Sequence, residues 1–172
     1  MPRIFSGKVI LCLLFLLVLD ISLAPFLRVG AFQPIFIYLA VVYSVFEWPV
    51  LKSIQLAVTV GFLRDLLGVQ PFGVEACMLG LLALGLAVFV NRIEKQSLLM
   101  RFIGSFLFVF FALISILMLS GLLGAPVEIS SQTMGLSFYS AASTAFMMPV
   151  IFYFMARWFG QREFLKQYEL FG

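Results

Sequence analysis

The stretch that decides the fold is Phe102–Gly124, FIGSFLFVFFALISILMLSGLLG, in which no residue carries a charge. A helix needs about 20 apolar residues, within a range of about 17–25, to cross the hydrocarbon core of a bilayer, so this run is long enough to cross once. The whole chain has the same character, with 63% hydrophobic and 11% charged residues, where soluble domains average about 45–50% and about 25%. The composition therefore predicts that lipid surrounds most of the chain.

Five further apolar runs flank this one and are separated by short polar or Gly/Pro-containing connections. The first run follows Arg3 and Lys8 as a secretory signal would, but Pro25 directly after Ala24 disfavours cleavage, so it is expected to be retained. We predict an all-α fold, a polytopic bundle of six transmembrane helices that makes residues 1–172 a single integral membrane domain. The predicted spans are 9–27, 32–48, 53–67, 72–90, 102–124 and 132–156.

The basic residues predict the orientation of the bundle, because short loops rich in Lys and Arg stay in the cytoplasm. If both termini are cytoplasmic, the outside receives Arg28 alone. The inside then receives Arg3, Lys8, Lys52, Arg92, Lys95, Arg101, Arg157, Arg162 and Lys166. The tail 157–172 is expected to lie along the inner interface. The basic residues are scattered singly instead of forming a patch, which excludes a nucleic-acid binder.

Charged residues inside three of the spans predict a polar cluster. Such residues are costly in lipid and usually face the bundle interior with a partner. Asp20 and Arg64 each lie about 11 residues beyond the inner end of their span, so we expect them at similar depth and paired. Asp65 and Glu75 add two carboxylates to this outer-half cluster. The cluster either fixes helix register or binds a partner or ligand, and the sequence leaves both roles open.

Small residues predict how two helices approach each other. Ala76, Gly80, Ala83 and Ala87 share one face of the fourth span, and a stripe of this kind allows close helix packing in lipid. Just before that span, the stretch from Leu66 to Gly73 contains two glycines and a proline, which predicts a tight, partly re-entrant outer turn braced by Asp65.

Several classes of enzyme are excluded because the sequence lacks the residues or motifs that they need. There is no histidine to serve as a base or zinc ligand, and no phosphate-binding or dinucleotide motif. Two intramembrane aspartates could suggest an aspartyl protease, but Arg64 next to Asp65 would keep nearby carboxylates ionised, and no Gly-x-Gly-Asp run occurs. We expect no catalytic residue, no metal and no cofactor.

One segment resembles a known family. The stretch Gly61–Ala76, GFLRDLLGVQPFGVEA, resembles the signature of the rod shape-determining protein MreD family, and Pro34 at the start of the second span supports it. The residues that carry the motif and its turn are Gly61, Asp65, Gly68 and Gly73.

The resemblance implies a non-enzymatic scaffold of the cell-elongation (rod) machinery in the bacterial cytoplasmic (inner) membrane. It implies binding to an MreC-like bitopic membrane protein and, indirectly, association with a RodA-type glycosyltransferase, a class B penicillin-binding protein and the MreB filament. The implied role is support of lateral peptidoglycan synthesis and cell shape.

A second hypothesis is a substrate-binding S component of an energy-coupling-factor vitamin transporter, whose six-helix layout the family resembles. Such proteins hold a small ligand in an outer-facing pocket, which the polar cluster could form. Their first span typically carries an Ala-x-x-x-Ala coupling surface, whereas residues 11–19 here are rich in leucine. A membrane scaffold without any ligand is a third reading that the sequence leaves open.

Overall fold

The computed structural model describes residues 7–23, 25–26, 33–67, 71–91, 97–124 and 131–159. Within these ranges the chain forms six α-helices and no strand, which confirms the all-helical prediction. Each helix overlaps one predicted span, in order. The helices are α1 Gly7–Ser22, α2 Phe36–Glu47, α3 Val50–Leu67, α4 Val74–Val90, α5 Leu98–Leu122 and α6 Ser131–Phe159.

Helix boundaries differ from the predicted spans by a few residues. Helix α2 begins at Phe36 instead of residue 32, and α5 begins at Leu98 instead of Phe102. The reason is that hydropathy marks where apolar residues occur, whereas a helix begins where its backbone N–H groups find acceptors. Arg101, predicted to lie in a cytoplasmic connection, is consequently part of α5 and is buried. Helix α6 continues through Pro149 to Phe159.

Two of the described helices are long and apolar enough to cross a membrane, namely α5 and residues Gln132–Phe159 of α6. Helices α2 and α4 are apolar but shorter. Large apolar side chains are exposed on the outer faces of every helix except α2. An outer surface of this kind is unfavourable in water and suits contact with lipid.

Helix α2 is the centre of the bundle. It packs against all five other helices, and its residues from Phe36 to Phe46 are all buried. Its aromatic side chains fill the middle, with the Tyr43 ring edge-on to Phe152 at 5.3 Å between centroids. The remaining helices therefore form a ring that separates α2 from the surroundings.

Helices α3 and α4 form the most extensive contact among the described helices. A Cβ atom added at Gly61 would lie 2.4 Å from the Cα atom of Ala76, so only hydrogen fits there. At Gly80 a Cβ atom would lie 2.9 Å from a methyl carbon of Val58. Ala83 and Ala87, further along the small-residue stripe, are also buried.

The first and last helices meet at one end of the bundle. The indole Nε1 of Trp158 donates a hydrogen bond to the backbone oxygen of Lys8, at 3.2 Å, and the rings of Phe15 and Phe154 stack at 5.1 Å. The start of α1 and the end of α6 therefore lie on the same side. The predicted interfacial tail beyond Phe159 lies outside the described residues.

Candidate functional site

Asp20, near the end of α1, accepts hydrogen bonds from the start of α2. Its Oδ1 atom accepts from the backbone N–H of Phe36 at 2.6 Å, and its Oδ2 atom accepts from Ile37 at 3.2 Å. Residue 35, which precedes the helix, is isoleucine and has no side-chain acceptor. Asp20 therefore supplies the cap that α2 lacks, and it does so from a different helix.

Asp65, near the end of α3, does the same for α4. Its two oxygens accept from the backbone N–H groups of Glu75 at 3.0 Å and Ala76 at 3.1 Å. Gly73 precedes α4 with φ of +91° and offers no side chain. This left-handed conformation is favourable for glycine, so Gly73 makes the turn while Asp65 caps the helix. Gly68, the remaining motif glycine, lies outside the described residues.

Arg64 joins the two capped helices. Its Nε atom lies 2.9 Å from Glu75 Oε2, and its Nη1 atom lies 3.9 Å from Asp20 Oδ2. The guanidinium also stacks over the ring of Tyr38, 5.0 Å from the centroid. The Tyr38 hydroxyl in turn donates to Glu75 Oε2 at 3.3 Å. The predicted Asp20–Arg64 pair is thus present, but Glu75 is the nearer partner of Arg64.

The charges of this cluster are offset by backbone as well as by Arg64. The cluster has three carboxylates, of which Arg64 contacts those of Asp20 and Glu75, so a formal excess of negative charge remains. A helix N-terminus carries roughly half a positive elementary charge, and the N-termini of α2 and α4 both point at a carboxylate here. Asp65 and Glu75 are each only 5% exposed. The two helix N-termini and Arg64 together stabilise these buried carboxylates.

An open pocket of about 240 Å³ lies beside the cluster. It is lined by Asp20, Gln33 and Arg64 together with apolar side chains of α1, α2 and α3. The side chains of Arg64 and Asp20 keep 30% and 13% of their surface exposed. These two opposite charges are therefore the parts of the cluster that a ligand or partner can reach.

Sequence reasoning missed two members of the site. Nothing in the sequence selected Tyr38, although an aromatic side chain near the start of a helix is a common cation–π partner for an arginine beside it. Thr144 of α6 accepts from the backbone N–H of Ile35 at 2.9 Å and completes the start of α2. No local signal marks Thr144, because it lies 109 residues along the chain from Ile35.

A second buried ion pair lies at the other end of α2. Arg101 Nη1 donates to Glu47 Oε1 at 2.7 Å, and the guanidinium lies over the Phe46 ring at 5.6 Å. Glu47 is the last residue of α2, so the central helix has a charged contact at each end. The sequence indicated Arg101 only as a marker of topology.

The carboxylates of the cluster already have protein partners. Both oxygens of Asp20 and of Asp65 accept backbone N–H groups, and Glu75 is shared by Arg64 and Tyr38. Among the described residues no group of three His, Cys, Asp or Glu side chains could hold a metal ion.

A family model described as rod shape-determining protein MreD matches residues 1–158. No curated protein and no solved structure matches the chain.

Proposed function

The chain belongs to the rod shape-determining protein MreD family, and from that membership we propose that it is a non-enzymatic membrane scaffold that binds an MreC-like bitopic protein. Membership itself implies a role in rod shape determination, and the family is one of shape-determining membrane proteins and not a known enzyme family. The scaffold role and the partner are our proposal.

One observation favours a scaffold over a catalyst: the charged side chains inside the bundle contact other parts of the protein. Asp20 and Asp65 each cap the next helix, and Arg64 links both caps through Glu75. A catalytic acid or base must lie within hydrogen-bond reach of its substrate. Here each carboxylate instead contacts backbone, guanidinium or phenol, which makes one end of the bundle rigid. A rigid end supports a partner at a fixed geometry.

Binding of such a partner places the chain in the MreB–MreC shape-determining machinery. Through the MreC-like protein it associates with a RodA-type glycosyltransferase, a class B penicillin-binding protein and the MreB filament. These contacts are indirect in our proposal, since the connections between the described helices are short and leave little room for an extramembrane domain. Its contribution is to lateral peptidoglycan synthesis.

We further propose that all six helices cross the bacterial inner membrane, with both termini in the cytoplasm and residues 1–172 forming one domain. The contact between Lys8 and Trp158 supports this, because it puts the two ends of the bundle on the same side. The short α2 is compatible with spanning since protein surrounds it, so its backbone and end groups are satisfied internally.

Copurification tests the proposed function. The full chain, purified from its native membrane in a mild detergent, is expected to bring an MreC-like bitopic protein with it. Depletion of the chain is expected to convert rod-shaped cells to round ones, and re-expression should restore the rods. The proposal would be contradicted if no such partner copurified and the depleted cells remained rod-shaped.

A second candidate function rests on the polar pocket. An outer-facing cavity lined by Asp20, Gln33 and Arg64 is the kind of site that an S component of a vitamin transporter uses. Its volume of about 240 Å³ lies below the range of about 300–1,000 Å³ that is usual for small-molecule sites. The same purification distinguishes the two functions, because a bound vitamin or an associated ATPase module would favour the transporter.

A further inference from the structure

Helices α1 and α3 both pack on α2, and a lateral cleft separates them. Its apolar part has a volume of about 240 Å³ and is lined by Leu13, Leu14 and Leu17 of α1 and by Leu56 and Leu63 of α3, among others. Leu17 also lines the polar pocket. The two cavities therefore adjoin at Leu17, and together they offer an apolar part and a polar end near Asp20.

The dimensions of the cleft fit one hydrocarbon chain. Its wall on α1 runs from Val9 to Ile21, a length of about 18 Å at about 1.5 Å per residue. The hydrocarbon core of a bilayer is about 30 Å thick, so the acyl chains of one leaflet cover about 15 Å. The wall of the cleft is therefore long enough for one acyl chain. The cleft runs parallel to the helices, as a lipid chain does.

The charges at the polar end fit a group that carries both signs. Arg64 Nη1 and Asp20 Oδ2 are 3.9 Å apart, which is beyond hydrogen-bonding distance. A guanidinium has five N–H donors, so Arg64 can bind a phosphate oxygen while its Nε atom stays against Glu75. The excess of carboxylates around it favours an ammonium group beside Asp20.

We propose that the α1–α3 cleft binds a zwitterionic phospholipid of the phosphatidylethanolamine type. One acyl chain lies in the apolar part, the phosphate contacts Arg64, and the primary ammonium contacts Asp20. This site goes beyond the proposed scaffold function and does not depend on the identity of the protein partner.

The test measures retained lipid by native mass spectrometry. The full chain is reconstituted in vesicles of equal parts phosphatidylethanolamine, phosphatidylcholine and phosphatidylglycerol and then extracted in mild detergent. The wild type is expected to retain phosphatidylethanolamine about tenfold over each of the other two, which corresponds to about 1.4 kcal/mol. Equal retention of the three lipids overturns the proposal.

Matched variants locate the lipid. Leu14 and Leu11 lie on the same helix and are both 54% exposed, but only Leu14 lines the cleft. Leu14→Trp fills the apolar part and is expected to lose most of the bound lipid, while Leu11→Trp retains it. Leu63→Trp repeats the test from the opposite wall.

Two results contradict the site. Retention by Leu14→Trp and Leu63→Trp at the wild-type level would show that lipid binds elsewhere. Loss of a copurified membrane protein from both variants, without any bound lipid in the wild type, would make the cleft a protein-binding surface. Because the MreC-like partner is scored separately, failure of this site leaves the proposed function intact, and loss of that function leaves the lipid measurement valid.

Discussion

At the residue scale, Asp65 holds α3 to α4 through two adjacent backbone N–H groups. Asp65→Asn keeps one acceptor oxygen and turns the other into a donor that faces an N–H. Hydrogen bonds to charged groups contribute about 1.5–3 kcal/mol each, so we expect the free energy of unfolding to fall by about that amount. Asp65→Ala removes both acceptors and is expected to lower it further. Thermal unfolding of the purified protein in detergent measures both.

The matched control for this substitution is Gln55→Ala on the same helix. Gln55 is exposed, and the hydroxyl of Thr59 donates to its backbone oxygen, which alanine keeps. Its replacement should leave the unfolding midpoint within a degree or two of the wild type. If Asp65→Ala unfolds at the same temperature as this control, Asp65 does not stabilise α4.

Arg101 gives the second prediction at this scale. Arg101→Leu leaves Glu47 in a largely buried position without the guanidinium that lies 2.7 Å from it. Removal of one member of a buried ion pair costs about 3–5 kcal/mol, because the remaining charge is not compensated. The double variant Arg101→Leu, Glu47→Gln is expected to recover a large part of this loss.

Denaturation of the single and double variants in parallel checks the coupling of this pair. A double variant no more stable than Arg101→Leu alone would mean that the loss comes from packing of the arginine stem and not from the charge on Glu47.

Residue spacing predicted part of the polar cluster. Asp20 and Arg64 are the same number of residues from the inner ends of their predicted spans, which predicts similar depth. In the structure their side chains are in contact. The same counting could not find that both aspartates cap helices, since capping depends on where a separate helix begins. It also could not find Thr144, whose contact with Ile35 comes from folding of distant segments.

At the element scale, the contact of α3 with α4 depends on Gly61. Gly61→Ala puts a methyl group 2.4 Å from the backbone of Ala76, so the two helices must separate. Overpacking of this kind typically costs about 1–3 kcal/mol. Separation also lengthens the hydrogen bonds that the backbone N–H groups of α4 donate to Asp65. We expect a lower unfolding temperature and a lower yield of folded protein in the membrane.

Gly85→Ala is the control for this effect. Gly85 lies in the same helix α4, but a Cβ atom there meets nothing within 4 Å. Alanine favours a helix by about 1 kcal/mol over glycine, so this variant should be at least as stable as the wild type. Similar destabilisation by both alanines would exclude close packing as the cause.

Helix order and approximate position were predictable because each apolar run is long and bounded by polar or Gly/Pro residues. The central place of α2 was not predictable. Its side chains are as apolar as those of α5, and in a membrane chain the side chains that face lipid resemble those that face other helices. The buried state of Phe36 to Phe46 follows only from the packing of the other five helices.

At the scale of the whole molecule, the orientation of the bundle gives the last prediction. A reporter that is active only in the cytoplasm is expected to be active when fused to either terminus, because the proposed six-span orientation puts all but one of the basic residues outside the spans on the cytoplasmic side. The contact of Trp158 with Lys8 requires both fusion points on the same side. An active fusion after Gly124, in the connection between α5 and α6, would contradict the six-span arrangement.

The enclosure of α2 is complete only after α6 has packed against it. Two contacts that complete the surroundings of α2 come from α6, which follows the other five described helices along the chain: Thr144 accepts from Ile35, and Phe152 packs on Tyr43. The backbone N–H of Ile35 therefore lacks its acceptor, Thr144, until the chain has grown by another 109 residues. Until α6 has been made, α2 lacks these contacts, so we expect a chain that stops before α6 to leave its central helix accessible to membrane proteases.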